Sequence, residues 1–456
     1  MRPASVSVLL LLAGCAQPAA SSPAPSNPAQ AAIHSARDRV YPALVMVSAR
    51  WDVYKGGARE RAGGTGSGTI IDPVGHVLTN YHVAGKADVI HCQLCNKEVV
   101  EARLIGADPW TDLALLQLDM DEVRRKAPMA SWAVLGHSAE VQVGDLVLAM
   151  GAPLGQPRSV SLGVVSNTER VLSESFRLPT GEETGLFNVW LQTDASINPG
   201  NSGGPLVDME GRVIGVNSRV LNNAEGIGFS LPIDIAKDVV YRIMAGGRVR
   251  RSWLGLDFQP GRDLEGLAGG DPAGAYVREV EAGSPADAAG VRPQDVLVSL
   301  EGSPVPGRYP DEIFDLRRRI ASIPVAQEVQ AVFRRGGKDL PLSLTTAELG
   351  ASLGEDRVFP RWGLSVREIT DRMGRQMGLE EEGVYVTGVR GPAQRAGLME
   401  KDIIVRVSDI AIESLDALQA EHDRLAGQGR AHAKVQVLRG RVSHFVSLRM
   451  DAEASP

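Results

Sequence analysis

The chain of 456 residues has only three cysteines, carries no long block of lysines and arginines, and opens with an apolar run too short to cross a bilayer. Each shortage excludes something. With a net charge of −7 and a pI near 5.7, there is no electrostatic footprint for a nucleic-acid backbone, so nucleic-acid binding is not expected. Beyond Cys15, only Cys92 and Cys95 remain, in the segment His91-Cys92-Gln93-Leu94-Cys95. Zinc would need two further ligands, and no second C-x-x-C or H-x-x-x-H follows, so no metal site is expected. A redox pair would sit in a βαβ context, whereas Val89 to Leu94 reads as a strand entering a turn. The two cysteines are therefore expected to be structural, as free thiols or as a local disulfide. Hydrophobic content of 43% against 23% charged residues excludes disorder throughout.

What the chain has in excess is glycine, 50 residues or about 11% against a norm of roughly 7%, which favours many turns and a β-rich fold. At about 150 residues per domain the length suggests roughly three domains. Arg2 followed by Val8-Leu9-Leu10-Leu11-Leu12-Ala13 reads as a signal peptide spanning residues 1–15. Its end, Leu12-Ala13-Gly14-Cys15, resembles the bacterial lipobox, which implies lipidation of Cys15 and a lipid anchor in a membrane. Residues 16–32 contain only Ala, Pro, Ser, Gln and Asn and read as a solvated tether, with a reach of about 50 Å if extended.

A short helical pattern near Ile33 to Val40 leads into strand-like runs that alternate with turn residues up to about position 232. Gly68 to Ile71, Val77 to Thr79, Leu113 to Leu116, Leu146 to Ala149 and Val213 to Val216 are examples, and their close spacing suggests paired barrels or a sandwich. The period then changes: Ile235, Val239 and Ile243 lie four apart on one helical face, and Gly246-Gly247 stops the helix. Beyond lies an internal repeat. Pro285, Ala286, Gly290 and Asp295 return as Pro392, Ala393, Gly397 and Asp402, all at one offset, which marks two copies of one module. The expected organisation is a first domain at 33–247, a module at 248–346, a linker at 347–360 and a second module at 361–452.

Three motifs carry chemistry in the first domain. Gly200-Asn201-Ser202-Gly203-Gly204-Pro205 offers a tight turn that exposes a hydroxyl and aims backbone N–H groups one way. Thr79-Asn80-Tyr81-His82-Val83 places a histidine directly after a strand, and Thr111-Asp112-Leu113-Ala114 puts a carboxylate at the mouth of an apolar strand. Asp108 is a competing carboxylate, but the Pro109 that follows it reads as turn chemistry. The chain order His82, Asp112, Ser202 is that of chymotrypsin-like proteases. With T-N-x-H-V, D-L-A and G-N-S-G-G-P all present and two repeats behind them, the chain resembles the HtrA/Deg family of periplasmic trypsin-like serine proteases with PDZ domains.

That resemblance implies a mostly β chain, with a chymotrypsin-like double β-barrel followed by two PDZ-like α+β domains. It implies Ser202 as nucleophile, His82 as general base and acid, Asp112 as its orienting partner, and an oxyanion hole from the N–H groups of Gly200 and Ser202. Asn201 cannot form the ion pair that activates trypsin-like zymogens, so ordering of the loops within Gly163 to Leu186 and Val216 to Gly226 would set activity instead. The position six before the nucleophile, an Asp in trypsin, is Ser196, and Ile227-Gly228-Phe229 would supply an apolar wall, so a small or medium aliphatic specificity is expected. In the first module Leu254-Gly255-Leu256, after Trp253, stands where a PDZ domain binds a peptide carboxylate. In the second, Trp362-Gly363-Leu364-Ser365-Val366 is one residue shorter relative to its Trp, which leaves its ligand binding open. The family further implies unfolded polypeptides and protein C-termini as partners, a homo-trimer or larger assembly, a role in envelope quality control and no cofactor. A non-catalytic peptide-binding scaffold and a holdase chaperone stand as alternatives.

Overall fold

A computed structural model describes residues 27–152, 159–172, 176–177, 182–185, 187–220, 226–264, 274–350, 354–379 and 382–449. The signal segment with Cys15, most of the tether and parts of the two loops expected to set activity lie outside the described residues. The helix at the start is longer than its apolar pattern suggests, running from Pro28 to Val40. Asn27 caps it by accepting from the Ala29 amide at 2.9 Å, and Pro28 sits in the first turn, where its missing N–H costs nothing. Residues 28–32, expected in the tether, are thus its first turn and a half.

The first barrel is built from β1 (Leu44–Lys55), β2 (Ala58–Ile70), β3 (His76–Thr79), β4 (Val89–Gln93), β5 (Val99–Asp108) and β6 (Leu113–Leu118). They close in the order β1-β2-β3-β6-β5-β4. β6 has no alternation because both of its faces are covered: Leu113, Ala114, Leu115 and Leu116 are all fully buried. The second barrel takes Leu146–Gly151, Ser159–Arg170, Trp190–Thr193, Pro205–Val207, Arg212–Val220 and Gly228–Pro232, closed by the pairing of Pro205–Val207 with Arg212–Val220. The helix Ile233–Gly246 returns to pack Ala236, Val239 and Ile243 into the core of the first barrel, and left-handed Gly247 ends it. Cys92 is buried in β4, and Cys92 and Cys95 are not joined in a disulfide.

The two repeats fold alike, each as an antiparallel sheet with one long helix, Pro310–Ser322 in the first and Leu415–Gly427 in the second. The shared Gly and Asp have a common use. Asp295 and Asp402, both buried, accept from Arg335 and Arg439 respectively, whose guanidinium groups also donate to the Gly290 and Gly397 carbonyls. Two pieces of the segment expected as a linker, 347–348 and 356–359, are strands. Ala347–Glu348 pairs with Ser252–Trp253, and Asp356–Phe359 pairs with Leu364–Glu368.

Both repeats touch the barrels. Arg251 forms an ion pair with Asp108 at the end of β5, and Trp253 and Leu349 join Trp110 and Phe187 in one apolar cluster. The tip of the β1–β2 hairpin reaches the second repeat, where the Gly57 amide donates to the Ser365 hydroxyl at 3.2 Å.

Candidate active site

β3 ends at Thr79, and Asn80 turns the chain into the four-residue helix Tyr81–Ala84 that carries His82. Asp112 precedes β6 with a left-handed backbone, φ 60°, a conformation that costs a non-glycine residue about 1–2 kcal/mol unless its surroundings fix it. They do. The Asp112 carbonyl accepts from the Tyr81 amide at 3.0 Å and the Asn80 side chain at 2.9 Å, and its own amide donates to the Pro109 carbonyl at 3.2 Å. The carboxylate, almost wholly buried, lies 2.8 and 3.0 Å from His82 Nδ1, and accepts from the His82 amide at 3.0 Å and the Ser218 hydroxyl at 2.9 Å. A carboxylate offers only acceptors, so Nδ1 carries the ring proton and Nε2 the lone pair.

Ser202 stands in the turn between Trp190–Thr193 and Pro205–Val207, and that turn is fastened to the first barrel. The Ser67 amide of β2 donates to the Ser202 carbonyl at 2.8 Å, and the Ser67 hydroxyl donates to the Gly200 carbonyl at 2.6 Å. Gly203 at φ 82° has no alternative, since a Cβ there would lie 2.2 Å from the Ser67 carbonyl oxygen. Within the turn the amides of Asn201, Gly203 and Gly204 donate to backbone carbonyls, while those of Gly200 and Ser202 have no acceptor among the described residues. The Ser202 hydroxyl donates to the Ser218 carbonyl at 3.2 Å. Ser218 therefore links Ser202 and Asp112 through its two oxygens, a residue for which the sequence gives no signal.

Tyr81 and Lys86, either side of His82, both bind Glu182. Burial, with the Glu182 charge beside it, pushes the Tyr81 phenol upward, so it stays a neutral donor. The same segment reaches the turn before Asp112: the Thr184 hydroxyl donates to the Trp110 carbonyl at 3.0 Å, and Phe187 meets Trp110 edge-on at 5.9 Å. Asp108, beyond its turn bonds with Trp110 and Thr111, is the buried partner of Arg251.

Of the residues expected around a specificity pocket, Ser196 is exposed beside the turn and its carbonyl accepts from the Ser161 hydroxyl at 2.8 Å. Phe229 is not an open wall: it is fully buried against Trp190, with ring centroids 6.3 Å apart. Gly228 instead packs against Ile197, whose Cδ1 would lie 2.9 Å from a Cβ there. Ile197, for which the sequence gives no signal, narrows the space that Gly228 leaves. In the first repeat, Leu254, Gly255 and Leu256 border a cavity of about 550 Å³, also lined by Phe187, Ile320 and Arg372. Among the described residues no cluster of His, Cys, Asp and Glu could hold a metal, and no helix is long and apolar enough to span a membrane.

Comparison with known proteins places this geometry. Residues 66–216 match the trypsin-like peptidase domain family and residues 252–346 the PDZ domain family. A probable periplasmic serine endoprotease, DegP-like, of Ectopseudomonas mendocina is 35% identical over 377 residues, covering 79% of this chain and 74% of the relative. Its namesake in Halomonas elongata is 33% identical over 408 residues, covering 86% and 80%. Among solved structures, the HtrA-type protease AlgW with decapeptide is 30% identical with a TM-score of 0.57, covering 70% of this chain and 98% of that one. The serine endoprotease from Yersinia pestis is 28% identical with a TM-score of 0.53, over 70% and 98%. A double barrel with a buried Asp112 bonded to a half-buried His82 beside the half-buried Ser202, two repeats behind it and these relatives lead to one statement: the chain belongs to the HtrA/Deg family of serine endopeptidases with PDZ domains.

Proposed function

We propose that the protein cleaves unfolded or misfolded proteins of the bacterial envelope, with His82, Asp112 and Ser202 as its catalytic triad. The observation that carries this reading is the chain of contacts from Asp112 to His82 and, through Ser218, to Ser202. A serine hydroxyl has one proton to donate, so attack begins when that donor passes from the Ser218 carbonyl to His82 Nε2. The Ser202 oxygen then adds to the scissile carbonyl as Nε2 takes its proton, and the new oxyanion is received by the N–H groups of Gly200 and Ser202, worth on the order of a hundredfold or more per donor. Collapse expels the amine with the proton returned from His82. Water, deprotonated by the same Nε2, releases the acid and regenerates Ser202.

The edge of the strand Leu256–Gln259, which has no further strand beyond it among the described residues, and the cavity beside it support capture of substrate C-termini by Leu254, Gly255 and Leu256 of the first repeat. Arg251 and Trp253 join that module to Asp108, Trp110 and Phe187, a contact route by which a bound peptide would act on the turn bearing Asp112. The relatives' names support a periplasmic location. Lipidation at Cys15 and assembly into trimers or larger belong to the same proposal. A scaffold without catalysis is disfavoured by the ordered Asp112–His82 pair. Casein digestion tests the reading: Ser202→Ala should lose activity on the order of a millionfold, since triad members act as a unit, and more than a few per cent retained in a purified, folded variant would refute it.

A further inference from the structure

The two repeats present their carboxylate loops differently, and hydrogen bonds put them in register. In the first, the Leu254 carbonyl accepts from the Ala286 amide and the Gly255 carbonyl from Glu281; in the second, the Trp362 carbonyl accepts from Ala393 and the Gly363 carbonyl from Arg390. Trp362 therefore takes the buried place of Leu254, and the second loop is not short: its Trp has moved one position along. What differs is the neighbouring edge. Leu256–Gln259 ends its sheet with nothing beyond it among the described residues, whereas Leu364–Glu368 is flanked by Asp356–Phe359, antiparallel, with Phe359 opposite Leu364 and Asp356 opposite Arg367.

We propose that residues 356–359 are a built-in ligand that fills the peptide groove of the second repeat, so that each chain captures one C-terminus rather than two. The inference rests on reading these loops as peptide-carboxylate sites. A captured peptide would add as a strand between the sheet edge and the long helix, its last side chain in a pocket and its terminal oxygens on loop N–H groups. The internal segment reproduces each feature. Phe359, 1% exposed, stacks on Trp362 at 5.7 Å and meets His422 of the helix at 5.2 Å. Two residues earlier, Arg357 reaches the start of the same helix, donating to the Leu415 carbonyl at 3.1 Å and pairing with Asp416 at 3.0 Å. The Phe359 carbonyl takes the Trp362 amide at 3.0 Å, and the Gly363 amide goes to the Pro360 carbonyl at 3.0 Å, so loop donors that would meet a carboxylate are already used. Only Pro360 and Arg361 separate the segment from the loop, a tether that gives an effective concentration in the millimolar range or above, against which a free peptide must compete. The hairpin tip braces the loop from the other side, where a Cβ on Gly57 would lie 2.3 Å from the Gly363 carbonyl oxygen.

The test uses the full-length Ser202→Ala protein and a free peptide ending in Asp-Arg-Val-Phe with its carboxylate, a copy of the internal segment. Before peptide is added, amide hydrogen exchange across 362–367 should be at least about tenfold slower than across 254–259, and peptide should leave 362–367 unchanged. In an Arg357→Ala/Phe359→Ser variant, titration calorimetry should count one more peptide per chain than in the parent, with new protection at 362–367. Equal exchange of the two loops, peptide protection at 362–367 in the parent, or a folded variant that gains no site would each overturn the proposal. If the variant does not fold, the exchange comparison in the parent decides. Failure of 254–259 to gain protection from any peptide would count against capture by the first repeat, and would leave the comparison at 362–367 to judge the built-in ligand.

Discussion

Arg251→Met isolates the contact between the first repeat and the turn that carries Asp112. It keeps an apolar stem against Phe187, whose ring the guanidinium covers at 5.0 Å, and removes only the charge facing Asp108. The Asp108 side chain is 1% exposed and that of Arg251 13%, so the variant leaves an enclosed carboxylate to which, beyond the arginine, the Trp110 amide and the Thr111 hydroxyl donate. Removing one partner of a buried pair costs about 3–5 kcal/mol, and the two remaining donors put this case near the lower end. Asp108→Asn should cost a similar amount by stranding the arginine. The double variant buries no charge and should recover most of the loss, a coupling of about 2 kcal/mol or more. Because a chain of several domains does not unfold in one step, the quantity to measure is local opening, by amide exchange at Leu113 and Ser252. The same variants should lower kcat on a short reporter peptide by roughly tenfold, equivalent to about 1.4 kcal/mol, with KM little changed, since the left-handed Asp112 backbone loses support below it. Additivity of the two single variants within about 0.5 kcal/mol, or unchanged opening and kcat in Arg251→Met, would refute the coupling.

Cleavage-site profiling should show a small or medium aliphatic residue before the scissile bond, with Ile197→Ala admitting larger ones; dominant cleavage after Lys or Arg would reject this pocket. Cys15→Ala with another cleavable signal should move the protein from the membrane fraction to the soluble one, and a native mature mass without lipid would rule out the anchor. Burial pushes the Cys92 thiol up to about 12. At pH 8 its thiolate fraction is on the order of one in ten thousand, so mass spectrometry should find Cys92 alkylated only after denaturation, and native labelling at the rate of a free thiol would contradict its burial.

What could be seen in the sequence was whatever a local pattern must encode. The serine turn needs glycine at 203 because backbone crowds it, the helix after position 232 needs a four-residue period to cover the first barrel, and the paired Gly and Asp of the repeats hold one arginine each. Contacts formed across the chain leave no such trace. Asp108 and Arg251 are 143 residues apart, and a carboxylate before a proline reads as a turn until its distant partner is in place. Ser218 serves the site through one hydroxyl and one carbonyl, which any exposed serine also has. Phe229 follows a glycine in a strand, and its burial depends on Trp190 lying in the neighbouring strand. Composition misled where a stretch found its partner elsewhere: Pro28 to Ala32 look like tether until Asn27 caps them into a helix, and Asp356 to Phe359 look like linker until a sheet edge is offered to them. The second loop shows the same limit most sharply. Counted from its Trp it is a residue short, but burial rather than residue identity sets the register, because the Leu254 position requires an apolar side chain under the loop and Trp362 supplies one. A repeat that has moved its largest side chain beneath the loop and placed Phe359 against it offers that groove to its own chain, and on the proposal made above peptide binding by the first copy would not carry over to the second.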